Sequence, residues 1–174
     1  MKRVTNRNIG LIGFMGTGKT AIGSALAIDT HRQFFDTDTL IEQRAGKTIT
    51  EIFEEEGEIV FREMESQVVI EVCGLDSSVI SFGGGVVLSP SNIETIRKTT
   101  YVVLLKASVE TISSRTSLHF TRPLLDSKAN LHNQIKNLLA SREALYDKAK
   151  DVELETDLMS VDDAVQEIKR RIYL

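Results

Sequence analysis

Two periods of apolar positions alternate along this chain. Short apolar runs occur at Asn8-Ile9-Gly10-Leu11-Ile12, Gln33-Phe34-Phe35-Asp36, Val79-Ile80-Ser81-Phe82, Tyr101-Val102-Val103-Leu104-Leu105 and Val152-Glu153-Leu154-Glu155. Their length and their β-branched and aromatic content predict five strands, the fourth buried on both faces. Between them apolar residues recur every three or four positions, which predicts helices over 20–30, 39–44, a short piece from 49, 57–72, 90–98, 109–115, 130–148 and a last one through 172. Ser108 reads as a helix cap, and Ser160 with Asp163 as a capping box. Strands alternating with helices predict an α/β fold: a parallel sheet with helices on both faces.

Between the first strand and the first helix stands Gly13-Phe14-Met15-Gly16-Thr17-Gly18-Lys19-Thr20, which fits the phosphate-loop pattern G-x-x-x-x-G-K-[ST] at every fixed position. The glycines permit a tight turn that converges backbone N–H groups at a helix N-terminus, where an anion is favoured. Lys19 is placed to reach the outer phosphates and the Thr20 hydroxyl to ligate Mg²⁺. A nucleoside triphosphate ligand follows.

Other candidate groups fall at strand ends. Asp36 and Asp38, two apart on an extended segment, would point the same way into the crevice at the sheet's carboxyl edge. One would sit near Mg²⁺ and one near a substrate hydroxyl; equally, Asp38 would only cap the following helix. Arg62 and Glu65 share a helix face. They read either as a surface ion pair or as an arginine held by a carboxylate while it grips an anion bidentately. Gly83-Gly84-Gly85 closes the third strand, either as a flexible loop or as a place where a ligand nears the backbone. Residues 116–129 have little periodicity and contain Arg122-Pro123. So long a loop predicts a lid, and its arginine could reach a transferring phosphate.

Composition narrows the choice. A chain of 174 residues, 41% apolar and 26% charged, suits one globular domain spanning 1–174. Net charge −4 argues against general nucleic-acid binding, so an anionic substrate needs a local cluster of cations. A single cysteine, Cys73, excludes an internal disulfide, and its apolar helical setting reads as a small buried hydrophobe. There is no run of 18 apolar residues and no signal-peptide stretch, so a cytoplasmic protein without a membrane partner is expected. His31, His119 and His132 have no metal-ligand spacing.

In order along the chain, the loop 13–20, Asp36-Thr37-Asp38, Phe61-Arg62-x-x-Glu65, Gly83-Gly84-Gly85, Arg122-Pro123-Leu124-Leu125 and Arg142 with Tyr146 resemble the shikimate kinases. The resemblance spans most of the chain. It implies a P-loop kinase fold, three layers with sheet order 2-3-1-4-5, and ATP-dependent phosphorylation of shikimate at its 3-hydroxyl in aromatic amino-acid biosynthesis by a monomer. The implied phosphate-binding set is Gly13, Gly16, Thr17, Gly18, Lys19, Thr20 and Ala21, with Arg122 from the lid. It also implies Asp38 on the reacting hydroxyl, and Asp36 with Thr20 near Mg²⁺. Arg62 and Arg142 would hold the shikimate carboxylate, Glu65 would brace them, and Phe53 and Phe61 would line the pocket. The run Gly83, Gly84 and Gly85 would meet the ring, the last two through backbone N–H. Arg115 would pack on adenine. Lys19, Asp38 and Arg122 would carry the chemistry. Two stretches depart from the family: Ser117-Leu118-His119-Phe120 lacks the usual lid glycine, and 156–160 lacks the basic and proline residues often set against adenine.

Other readings compete. A gluconate kinase would share Lys19 and a lid arginine but not the Arg62–Arg142 pair with Asp36 and Asp38. Nothing suggests the second base pocket of a nucleotide kinase. A GTP switch protein would need Asn-Lys-x-Asp, which is absent. A catalytically dead homologue would not be expected to retain every chemical residue.

Overall fold

The structure, a computed structural model, describes residues 7–116 and 128–173. Its elements run β1 (Asn8–Ile12), α1 (Lys19–Asp29), β2 (Gln33–Asp36), α2 (Thr37–Ala45), α3 (Ile49–Glu55), α4 (Gly57–Cys73), β3 (Ser78–Ser81), α5 (Pro90–Thr99), β4 (Thr100–Lys106), α6 (Val109–Thr116), α7 (Lys128–Ala149), β5 (Val152–Glu155) and α8 (Val161–Tyr173). The five strands form one sheet ordered β2-β3-β1-β4-β5, with every neighbouring pair parallel.

Strand alternation divides the core into two layers. Ile12, Ile80, Val102 and Leu104 face one side, where Ile41, Ile52, Phe61, Val68, Val72, Ile96 and Tyr146 of α2, α3, α4, α5 and α7 cover them. Ile9, Leu11, Val79, Val103 and Leu105 face the other, under Ile22 and Leu26 of α1 and Ala164, Val165 and Ile168 of α8. Cys73 lies buried in the first layer as a small hydrophobe. β3 begins one residue earlier than its apolar run. The buried Asn8 side chain donates to Leu75 O (2.6 Å) and accepts from Ser78 N–H (2.9 Å), which draws Ser78 into register beside β1.

The expected caps form. Ser108 Oγ accepts from Thr111 N–H, and Ser160 and Asp163 exchange side-chain-to-backbone bonds. No helix among the described residues is long and apolar enough to cross a membrane.

Parallel strands place all their carboxyl ends along one edge. That edge carries the phosphate loop after β1, Asp36 at the end of β2, Gly83 beyond β3, α6 after β4 and Thr156 after β5.

Candidate active site

A cleft of about 1050 Å³ opens along this edge, lined by Lys19 and Thr20, by Asp36 and Asp38, and by Arg62, Glu65 and Arg142. The phosphate loop reaches its shape through Gly13, Gly16 and Gly18, at φ of 143°, 78° and 95°. Residues with a Cβ rarely adopt such angles. Lys19 curls under the loop, and its Nζ donates to Gly13 O (2.9 Å) and Phe14 O (3.0 Å). Burial lowers its ammonium to a pKa of about 8, against the opposing pull of Asp38 and Asp36.

The two aspartates enter the cleft by a different route from strand alternation. Asp36 is the N-cap of α2: its Oδ1 accepts from Asp38 N–H (3.1 Å) and Thr39 N–H (3.3 Å). Helix therefore starts at Thr37, two residues before the expected boundary, and Asp38 sits in its first turn rather than capping it. The cap satisfies N–H groups that the first helical turn would otherwise leave unpaired. Asp36 Oδ2 accepts from the Thr20 hydroxyl at 2.8 Å. Burial pushes the Asp38 carboxyl up to about 6; Asp36, Glu65 and Glu42 reinforce the shift and Lys19 opposes it.

Arg62 and Glu65 are not a surface pair. Glu65 is 1% exposed and accepts from Arg62 Nη1 at 3.0 Å, while Glu58 takes Arg62 Nε and Nη2. Burial holds the Glu65 carboxyl above its ordinary range, against the attraction of Arg62 and Arg142. Its Oε1 is buried with no hydrogen-bond partner among the described residues. The glycine run gives these groups room. A Cβ on Gly83 would collide with Asp38 Oδ1, and one on Gly85 would stand 2.5 Å from Arg62 Nη1. Gly83 N–H is taken by the Thr37 hydroxyl (2.9 Å), and Gly84 O accepts from Tyr146 OH (2.7 Å) and Arg142 Nη1 (3.3 Å). These bonds tie the run down, so it is not a free loop. Phe53 and Phe61 stack at 4.7 Å between centroids, with Arg62 over the Phe61 ring.

Arg115 turns against the back of the phosphate loop, donating to Gly16 O (3.2 Å) and Thr156 O (3.1 Å), and it lines the cleft beside Gly16. The expected lid arginine, Arg122, and all of the 116–129 loop except its two ends lie outside the described residues. Thr37 lies within the Asp36-Thr37-Asp38 stretch without an expected role of its own there, and Thr156 carries no motif; their bonds to Gly83 N–H and Thr17 O come from the fold.

A donor set for a hard cation is present in Thr20 and Asp36, both oxygen donors. Among the described residues no three His, Cys, Asp or Glu converge to hold a metal by themselves. Phosphate oxygens and water would have to complete such a shell, as is usual for Mg²⁺.

The family model for "Shikimate kinase" matches residues 15–173. A shikimate kinase of Pelotomaculum thermopropionicum is 44% identical over 162 residues, covering 93% of each chain. The structure of a shikimate kinase from Acinetobacter baumannii in complex with shikimate superposes with a TM-score of 0.89 at 37% identity, covering 95% of this chain and 92% of that one. A gluconokinase from Sinorhizobium meliloti, at 15% identity and a TM-score of 0.56, shares the fold alone.

Proposed function

The chain belongs to the shikimate kinase family, and from that premise we propose how its own residues carry the ATP-dependent phosphorylation of shikimate. One observation supports the scheme above others: Lys19, Asp38 and Arg62 line a single cleft, in which Asp38 and the Glu65 partner of Arg62 both stand close to Gly83. The triphosphate lies along the loop 13–20, with its outer phosphates on Lys19. Shikimate lies at the other end, its carboxylate on Arg62 and Arg142, and its ring hydroxyls toward Asp38 and the backbone of Gly84 and Gly85. The 3-hydroxyl oxygen attacks the γ-phosphorus, the bond to the β–γ bridging oxygen breaks, and ADP departs. The hydroxyl proton passes to the Asp38 carboxylate. A loose transition state needs little early deprotonation, so Asp38 chiefly orients the hydroxyl and accepts the proton late. Lys19 neutralises charge on the transferring group, joined by Arg122.

Thr20 and Asp36 would hold Mg²⁺, which, when bound, neutralises phosphate charge. Asp36 already spends one oxygen on the α2 cap, which fixes the direction of the other. Arg115 packs near the base. The enzyme works as a cytoplasmic monomer.

The test is ADP release from ATP and Mg²⁺ with shikimate and gluconate in parallel. Turnover with shikimate alone is expected; turnover with gluconate alone overturns the acceptor assignment.

Arg62→Lys is expected to raise the KM for shikimate roughly 10- to 100-fold and leave the KM for ATP within twofold. A planar fork becomes a point charge, and Glu65 loses the Arg62 hydrogen bond. An unchanged shikimate KM with a raised ATP KM would put Arg62 on the wrong ligand.

The pH profile of kcat/KM is expected to be bell-shaped. The Asp38 carboxylate exists above about 6 and is lost as pH falls through that value. The Lys19 ammonium exists below about 8 and is lost as pH rises through it. Since kcat/KM reports the free enzyme, assays from pH 5 to 9.5 should show both limbs. A flat profile over pH 5–7 would remove Asp38 as the acidic group.

A further inference from the structure

We infer that Thr156, at the carboxyl end of β5, is a positioning residue for phosphoryl transfer that holds the phosphate loop from behind. The inference rests on the proposed reading of that loop as the ATP site. In a trans peptide, the carbonyl of one residue and the N–H of the next point in opposite directions. Fixing Thr17 O therefore fixes Gly18 N–H, and fixing Gly16 O fixes Thr17 N–H. Thr156 acts on both carbonyls. Its hydroxyl reaches Thr17 O (3.1 Å) and Lys106 O (3.0 Å), which share its single proton, and it accepts from Arg115 Nη1 (3.5 Å). Lys106 O already receives Thr156 N–H at 2.8 Å. The strand end is thus secured without the hydroxyl, and the hydroxyl's distinctive bond is the one to the loop. Thr156 O also accepts from Arg115 Nη2, which aims Nη1 of the same guanidinium at Gly16 O.

The support behind Thr156 is itself anchored. Thr156 is 2% exposed. The next residue, Asp157, accepts from Ser108 N–H (2.9 Å), Ser108 Oγ (2.5 Å) and Thr111 Oγ1 (2.6 Å), binding the end of β5 to the start of α6, the helix that carries Arg115. A phosphate site depends on donors set before the ligand arrives, and their supports are part of that setting. Arg115 on this view serves the phosphates through the loop, beyond any packing on a base.

The experiment compares Thr156→Val, which keeps the shape and loses the hydroxyl, with Thr156→Ser, which keeps the hydroxyl. Steady-state kinetics are read beside calorimetric binding of ADP and of inorganic pyrophosphate, which probes the loop without a base. Thr156→Val is expected to weaken both ligands about tenfold and lower kcat by a similar factor, the scale of one lost hydrogen bond to a preorganised site. The KM for shikimate should stay within twofold, and Thr156→Ser should restore the losses. Wild-type pyrophosphate affinity and kcat in Thr156→Val would overturn the inference. So would equal losses in the Ser and Val variants, or a matching rise in shikimate KM. Should Thr156→Val not fold, Arg115→Met decides: reduced pyrophosphate affinity supports the latch, and unchanged affinity sinks it. Absence of shikimate turnover in the unmodified enzyme would defeat the proposed function, while the pyrophosphate contrast would still judge Thr156.

Discussion

Lys19→Ala is expected to lower kcat by about a thousandfold, with a smaller rise in the KM for ATP. The ammonium is already lodged under the phosphate loop by Gly13 O and Phe14 O, so little reorganisation is needed when a phosphate arrives. Removing one such preorganised charge typically costs a factor of 10²–10³, roughly. Here the loss is compounded, because Lys19 is the cation that opposes the raised pKa of Asp38, and its removal leaves the cleft's carboxylates less compensated. Lys19→Arg should rescue poorly, since a planar fork does not fit a seat shaped by two carbonyls. The measurement is single-turnover phosphoryl transfer at saturating ATP and shikimate. Near-normal rates in Lys19→Ala would remove the loop from the chemistry.

Asp38→Asn separates activity from stability. Turnover is expected to fall by roughly 10²–10⁴, the range for losing a positioned acid–base group, with the shikimate KM little changed. The melting temperature is expected to rise. Asp38 ionises near 3.8 in the unfolded chain and at about 6 in the fold. Between those values the folded state binds the extra proton, so stability falls as pH rises through the window and stays lower above it. The difference is on the order of 3 kcal/mol. Asparagine removes that cost, which for a chain of this size gives a gain on the order of 10 °C at pH 7.5 and almost none at pH 3.5. Calorimetry at the two pH values, beside kcat, checks both halves. An unchanged kcat would make Asp38 a bystander, and a lower melting temperature at pH 7.5 would mean its charge is stabilised rather than strained.

What the sequence revealed depended on how local the cause was. The phosphate loop was readable because its glycines and Lys19 act within eight consecutive residues. The sheet was readable because buried parallel strands leave apolar runs of fixed length. The aspartate pair was readable as chemistry but not as geometry. Its spacing suits a strand, yet the Asp36 carboxylate captures the N–H groups of Asp38 and Thr39 and converts the next residue to helix. Arg62 and Glu65 looked equally like surface charge, because their burial is set by Gly83 and Gly85, some twenty residues away. Thr156 was invisible: its partner carbonyl at Thr17 is 139 positions distant, and a threonine after a strand carries no signal of its own.

The crossover between β2 and β3 consists of α2, α3 and α4, and on it stand Asp38, Phe53, Phe61, Arg62 and Glu65. The phosphate loop, α6 and Thr156 belong to the other strands. On the proposed roles, acceptor choice and phosphate handling fall on largely separate stretches of chain, joined by α7 through Arg142 and Tyr146 on Gly84 O. On those roles the layout would act as an exchangeable cassette: rewriting one excursion of the chain would change the alcohol accepted and leave the nucleotide machinery in place.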